Sequence, residues 1–222
     1  MRTRVILCAV AVFCLAGLVE AQDTTWSPAP NKKLWKDPVN WAGEVLPSPT
    51  IKAFFNGTSE CIVDFPDAAA WQIDLGGGPL KIVDGGNLTV YDWFILGYNV
   101  GDVDDSAGRL EVYDGGVLNC LARLYVGYRG EGYLTVYEGG TVNIHAQLLG
   151  VGQQPGGNGT VTMEGGTLNL LEGTNARGLN FLATAESNVD LRGGALNLRG
   201  TPDNSDYVNQ SVTDGIIKAY GG

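Results

Sequence analysis

The sequence is poor in the residues that most enzyme active sites use. It has one histidine, His145, and four cysteines, two of which lie in the N-terminal apolar run. No HExxH or CxxC spacing occurs, and no serine stands in a nucleophile-elbow setting. These absences exclude histidine-based triads and zinc sites of the usual spacing.

Proline and glycine are scarce in opposite halves of the chain. No proline lies between Pro79 and Pro155, and only three of the 33 glycines precede residue 70. Because proline cannot donate to a sheet ladder, its absence favours continuous strand pairing over that stretch. All five tryptophans lie in the first 93 residues. The chain therefore divides into an aromatic, proline-containing segment and a glycine-punctuated array.

Basic residues are outnumbered, 14 against 24 acidic, for a net charge of −10. Residues 1–21 have the pattern of a signal peptide: Arg2 and Arg4, then an apolar run shorter than the roughly 20 residues of a membrane span. Its removal, with Glu20, would leave 12 basic and 23 acidic residues. We expect a secreted or cell-surface protein that neither binds nucleic acid nor inserts its mature chain into a membrane.

A repeat organises the second half of the chain. Gly-Gly pairs begin at residues 85, 115, 139, 165 and 193, each between alternating apolar residues, as in LEVYDGGVLNC and LTVYEGGTVNI. A third short strand, such as WFILG or LYVG, precedes each pair. A period of 24 to 30 residues with three strands is typical of a β-solenoid and too short for a propeller blade.

We therefore predict an all-β fold, a single-stranded parallel β-helix with three short strands per turn and about six turns. It should be right-handed, because parallel crossovers nearly always are. Residues 22–50 form an N-terminal cap, residues 51–200 the solenoid, and residues 201–222 a polar C-terminal segment that ends in a last strand or begins a missing module.

The tryptophans have two interpretations. Trp35 and Trp41 would cover the open end of the first turn, where backbone groups lack partners. Alternatively, with Trp71, they would form a ligand-binding platform for sugar rings.

The two remaining cysteines, Cys61 and Cys120, fall about two turns apart, roughly 10 Å along the axis, too far for a disulfide. We expect two small core residues.

Stacking turns equivalent residues into columns about 4.8 Å apart. One column holds Asp84, Asp114, Glu138 and Glu164, followed by Arg192, and is either a solvated corner or a Ca²⁺ ladder. Another holds Asn119, Asn143, Asn169 and Asn197, which predicts a ladder of amide hydrogen bonds, with sugar binding as the alternative.

The insertion GDVDDSAG brings together Asp102, Asp104 and Asp105. These are the candidate metal ligands for Ca²⁺, although a solvated loop without a cofactor is the other interpretation.

One class of catalysis stays open, the cleavage of a polysaccharide on a β-helix face by paired carboxylates or by calcium with a basic residue. Counting turns groups Asp114 and Glu138 with Arg123 or Arg129. The alternative is that Arg123, Arg129 and Glu131 decorate one solvated face. We assign no catalytic residue.

The stretch LYVGYRGEGYLTVYEGGTVNI resembles the autotransporter-associated and PEP-CTERM-associated β-strand repeats of exported bacterial proteins. The resemblance covers residues 35–200, and VNWAGEVLPSPTIKAFFNG is similar to the segment that often leads such repeats. It implies a secreted or surface-displayed parallel β-helix, mostly without an assigned reaction. DGIIKAYGG also resembles a segment after which relatives continue into a sorting or docking module.

The sequence thus predicts a non-catalytic exported solenoid that acts as a structural or surface-display module, or as an adhesion module that contacts extracellular polysaccharide or cell-surface matrix. The alternatives are a carbohydrate-active β-helix enzyme, a lyase or hydrolase, and a carbohydrate-binding module.

Overall fold

A computed structural model describes residues 22–98, 107–145, 148–171, 179–181, 187–198 and 205–219. In these ranges the chain is an all-β solenoid of about six turns built from stacked parallel strands. The predicted fold class is confirmed. The predicted signal peptide, residues 1–21, lies outside the described residues.

Most strands have two to five residues, and one α-helix lies between the last two strands. In chain order they are β1 (Thr24–Thr25), β2 (Ala53–Phe55), β3 (Cys61–Val63), β4 (Ala68–Ala70), β5 (Ile73–Leu75), β6 (Pro79–Ile82), β7 (Asn87–Val90), β8 (Trp93–Leu96), β9 (Gly108–Val112), β10 (Val117–Cys120), β11 (Arg123–Val126), β12 (Glu131–Tyr137), β13 (Thr141–Ile144), β14 (Leu148–Val151), β15 (Asn158–Leu170), β16 (Leu179–Phe181), β17 (Asn188–Leu198), α1 (Ser205–Thr213) and β18 (Ile217–Ala219).

Each turn contributes a strand to each of three faces. The first face stacks β1, β2, β5, β8, β11, β14 and β16; the second stacks β3, β6, β9, β12, the first halves of β15 and β17, and β18; the third stacks β4, β7, β10, β13 and the second halves of β15 and β17. Three strands per turn agree with the sequence pattern.

The core consists of the alternate residues of every strand. On the second face Leu80, Leu110, Leu134, Val161 and Val189 stand in register, one per turn, and are fully buried. A strand with one buried face alternates apolar and polar residues, which is why the repeat was visible in the sequence. Side chains between these inward residues form the outer surface of each face.

Glycine makes the corners between the second and third faces. The first glycine of the pair has φ of 75° at Gly85, 69° at Gly115 and 75° at Gly139, a left-handed conformation that other residues rarely adopt. The corner changes in the fifth turn. Five residues separate the inward Val136 and Val142, but only four separate Met163 and Leu168. With one residue fewer, the chain passes the corner as a continuous strand, so β15 is 13 residues long.

The segment before β2 covers the N-terminal end. β1 pairs with β2 on the first face, and Leu34 pairs with Ile62 at the edge of the second face. Two short 3₁₀ helices follow, Pro38–Asn40 and Ala42–Glu44. Trp41 lies edge-on between Trp26 and Trp35, at ring-centroid distances of 5.0 Å and 4.9 Å. The aromatic segment thus supplies both a lid for the core and partners for exposed strand edges.

The C-terminal end of the described chain extends the second face beyond residue 200. β18 pairs in parallel with β17, so the second face continues past that residue. In chain order, α1 comes where another first-face strand would come, and Val208 from this helix packs against the core. Among the described residues, no helix has both the length and the hydrophobicity that crossing a membrane requires.

The two cysteines of the solenoid are free and buried, as predicted. Cys61 lies in β3 on the second face and Cys120 in β10 on the third, two turns away. Burial raises the pKa of the Cys120 thiol to about 12 and raises that of Cys61 as well. Both thiols therefore stay protonated and unreactive at neutral pH.

Candidate functional site

The third face carries the predicted asparagine ladder. The side-chain amide of Asn119 donates to Asn87 at 2.9 Å, Asn143 to Asn119 at 3.0 Å, Asn169 to Asn143 at 2.9 Å and Asn197 to Asn169 at 2.7 Å. Asn87 extends the predicted column by one turn. Each amide between the ends donates to one neighbour and accepts from the other, so the amides bind one another along the column, as predicted.

The acidic column lies at the glycine corner. The carboxylates of Asp84 and Asp114 rest against Gly115 and Gly139 of the following turns, where a Cβ would overlap them. Farther along, the Arg192 guanidinium lies 2.8 Å from a Glu164 carboxylate oxygen. Among the described residues, no three Asp, Glu, His or Cys side chains are grouped so that they could hold a metal ion. Asp102, Asp104 and Asp105, the candidate calcium ligands, lie outside the described residues.

Charges of alternating sign cross the outer surface of the second face. Lys33 and Lys81 contact Glu60 at 3.0 Å and 2.7 Å, and Lys81 also lies 3.6 Å from Glu111. The hydrogen bonds from Lys81 and Lys33 lower the pKa of the Glu60 carboxyl. Since Lys33 belongs to the cap, this network ties the cap to the first three turns.

The structure separates both arginines from the two carboxylates that turn counting had grouped with them as an enzymatic alternative. Asp114 and Glu138 lie at the corner between the second and third faces, after β9 and β12. Arg123 lies on the first face, and Arg129 lies in the turn between the first and second faces. The grouping was wrong because residues of neighbouring turns converge only when they also share a face.

The three tryptophans assigned to a sugar-binding platform have different environments. Trp35 is 1% exposed and Trp41 2% exposed, and the Trp41 indole donates to the Trp35 carbonyl at 2.8 Å. Their rings pack into the cap and have no face left for a ligand, which corrects the platform hypothesis at these two positions. Trp71, at the corner between the third and first faces, is 46% exposed.

The first face carries a site that the sequence interpretation missed. Its outer surface has a groove of 230 Å³, which we call the first-face groove, lined by Gln72, Asp92, Trp93, Ile95, Tyr98, Tyr128 and Arg129. Ile95 forms the floor and is buried, whereas the other lining side chains are at least partly exposed. The groove crosses three turns, since Gln72 precedes β5, Trp93 begins β8 and Tyr128 follows β11.

Strand register explains how aromatic rings come together here. Leu75, Leu96 and Val126 stand in register, and the chain continues two residues further to Gly77, Tyr98 and Tyr128, respectively. The two tyrosine rings are therefore one turn apart, 6.1 Å between centroids. Glycine in the same position of the preceding turn leaves the end of the groove free of a third ring.

A second layer of contacts holds the aromatic rings in place. Tyr125 is buried beneath the surface, 5.8 Å from the Trp93 ring and 5.2 Å from the Tyr128 ring. The Arg123 guanidinium lies 5.3 Å from the Trp93 ring centroid and donates to the Tyr125 hydroxyl at 3.2 Å. Such cation–π contacts and edge-on ring pairs restrict the rings to fixed orientations.

The polar groups of the groove are also positioned. Gln72 donates to the Asp74 carboxylate at 2.8 Å, and Asp74 is buried and paired with Lys52 at 2.6 Å. The Arg129 guanidinium lies 5.6 Å from the Tyr128 ring. Within the described residues, neither Asp92 nor Arg129 takes part in an ion pair. The lining thus offers flat apolar surfaces beside one carboxylate, one amide and one guanidinium.

Sequence patterns contain a signal for this site. FILGY and LYVGY share a glycine followed by tyrosine directly after the last inward residue of the strand. The repeat that aligns the acidic and asparagine columns also aligns Tyr98 with Tyr128, one turn apart. The opening beside them could not be predicted, because it depends on which side chains fill the adjoining turns.

Comparison with protein-family models, with curated proteins and with solved structures found no match to this chain.

Proposed function

We propose that the chain is an exported, non-catalytic β-solenoid that acts as a structural or surface-display module and contacts extracellular polysaccharide. The resemblance of its repeats to those of exported bacterial proteins supports export. The unbroken hydrogen-bonded and buried columns support a rigid scaffold, since each interior turn is fixed by its two neighbours.

The observation that carries the proposal is the first-face groove. Aromatic rings that are partly exposed and fixed from beneath can stack on the C–H faces of sugar rings, while nearby amide and charged groups bind hydroxyls. The carboxylates and arginines considered for an enzyme lie at different corners and faces, which favours contact over cleavage.

Two measurements test this function. The full chain would be expressed in a bacterial host and the secreted product analysed by mass spectrometry, which should give an N-terminus at Gln22. Protein that stays inside the cell with residues 1–21 still attached would contradict export. The secreted protein should then be retarded in native gels cast with a soluble polysaccharide and release no reducing ends from it. Reducing-end release would identify an enzyme, and migration unchanged in every polysaccharide would contradict glycan contact.

A further inference from the structure

We propose that the first-face groove binds a neutral polysaccharide, with one pyranose ring held against Trp93, Tyr98 and Tyr128 and the adjoining ring against Trp71 or Tyr91. This inference rests on the proposed function and assigns it a site and a substrate class. Four observations carry it: the groove's chemistry, its charge, its size and the exposed aromatic side chains beside it.

The chemistry of the lining matches the two surfaces of a sugar ring. A pyranose presents patches of C–H groups on its faces and hydroxyls around its edge. Trp93, Tyr98 and Tyr128 supply rings for the faces, while Asp92 supplies an acceptor and Arg129 supplies donors for the hydroxyls. The Gln72 amide, oriented by Asp74, adds a further hydrogen-bonding group.

The charge of the groove favours an uncharged ligand. Asp92 and Arg129 oppose each other in sign, and the nearby Lys52 is neutralised by the buried Asp74. Arg123 already lies over Trp93 and donates to Tyr125. The whole chain carries a net charge of −10, so a polyanion would approach against repulsion. A neutral polymer meets no such barrier.

The size of the groove suits one unit of a longer chain. Its 230 Å³ is below the roughly 300–1,000 Å³ of sites that enclose a drug-sized ligand. An open groove of this size accommodates a single ring, with the rest of the polymer outside it.

The corner beside the groove offers a place for the adjoining ring. Trp71 and Tyr91 are 46% and 40% exposed, and they are the two aromatic members of the described chain's four exposed large hydrophobic residues. They precede Gln72 and Asp92, which line the groove. The amide of Asp92 donates to the Trp71 carbonyl at 2.7 Å, so the backbone of one turn lies directly on the other at this corner.

Substitution of Trp93 by alanine tests the site. Tyr133 on the second face is a matched control, because it is also a half-buried aromatic residue with an arginine over its ring, Arg109 at 4.2 Å. Binding would be measured by affinity electrophoresis and calorimetry with a soluble β-glucan, a galactomannan and polygalacturonate. We expect Trp93→Ala to weaken binding of at least one neutral polymer on the order of tenfold and Tyr133→Ala to leave it unchanged.

Asp92→Asn provides a second variant that leaves the aromatic packing in place, and we expect it to weaken binding as well. Equal affinity of the parent and both groove variants would overturn the groove assignment while leaving polysaccharide contact intact. Tighter binding of polygalacturonate than of the neutral polymers would overturn the substrate class. Absence of binding by the parent protein to all three polymers would contradict the proposed function itself.

Discussion

Gly127 shows how strongly a single corner residue is constrained. Its φ is 76°, and a Cβ at this position would overlap the backbone carbonyl of Asn158 in the next turn. We predict that Gly127→Ala lowers the free energy of unfolding by about 3 kcal/mol, since both conformational strain and displacement of a backbone segment contribute. Urea unfolding would measure it. Gly57→Ala is the control, because no atom lies within 4 Å of a Cβ there; equal losses would refute the constraint.

Asn143 tests the ladder at the same scale. Its amide donates to Asn119 and its carbonyl accepts from Asn169. Alanine at this position removes both hydrogen bonds, and we expect a loss of about 1–3 kcal/mol. Asn197→Ala, at the end of the ladder, removes one bond from an exposed residue. The melting temperature of Asn143→Ala should therefore lie well below that of Asn197→Ala. The reverse order would show that the amides do not act as a ladder.

At the scale of the element, the second face joins strands of different turns through charge. Glu60 precedes β3 and contacts Lys33 of the cap and Lys81 of β6. Those hydrogen bonds lower its pKa in the folded chain. A carboxyl with a lowered folded pKa contributes stability above its unfolded value and loses that contribution as the pH falls through the folded value.

We therefore predict that Glu60→Gln flattens part of the acid dependence of stability. Between pH 7 and pH 3 the parent chain should lose more stability than the variant, by under about 1 kcal/mol because the pairs are partly exposed. Denaturant midpoints at several pH values would measure this. A variant whose midpoint falls as steeply with acid as that of the parent would show that the contacts are not energetically coupled.

The same elements show what sequence patterns can predict. Inward residues such as Leu134 repeat with the turn and were predictable from alternation, and the ladder through Asn119 followed from the same register. Which side chains lie close together on the outer surface was harder to predict. Arg123 and Asp114 belong to successive turns but to different faces, and helix α1 arises in a polar segment with no apolar repeat. Outer positions carry weak patterns because solvent accepts many side chains there.

At the scale of the whole molecule, a solenoid depends on its ends. Interior turns are paired on both sides, whereas a terminal turn would expose its core and unpaired strand edges. Here the N-terminal end is covered by Trp26, Trp35 and Trp41, while β18 and α1 lie at the other end of the described chain. Tryptophan burial at one end thus bears on stability, and aromatic exposure on the first face bears on the proposed polysaccharide binding.

This division of roles predicts that substitution of one tryptophan lowers stability and substitution of another lowers polysaccharide binding. Trp41 is buried between two other indoles and hydrogen-bonded to the Trp35 carbonyl, so Trp41→Ala should cost about 3–5 kcal/mol and leave a cavity over the first turn. Trp71→Ala removes a largely exposed ring and should change the melting temperature little while weakening polysaccharide retention. Sedimentation should show the Trp41 variant self-associating through the apolar end of the core that the missing indole uncovers. A monomeric Trp41 variant of unchanged stability would mean that the turn below is closed without the cap.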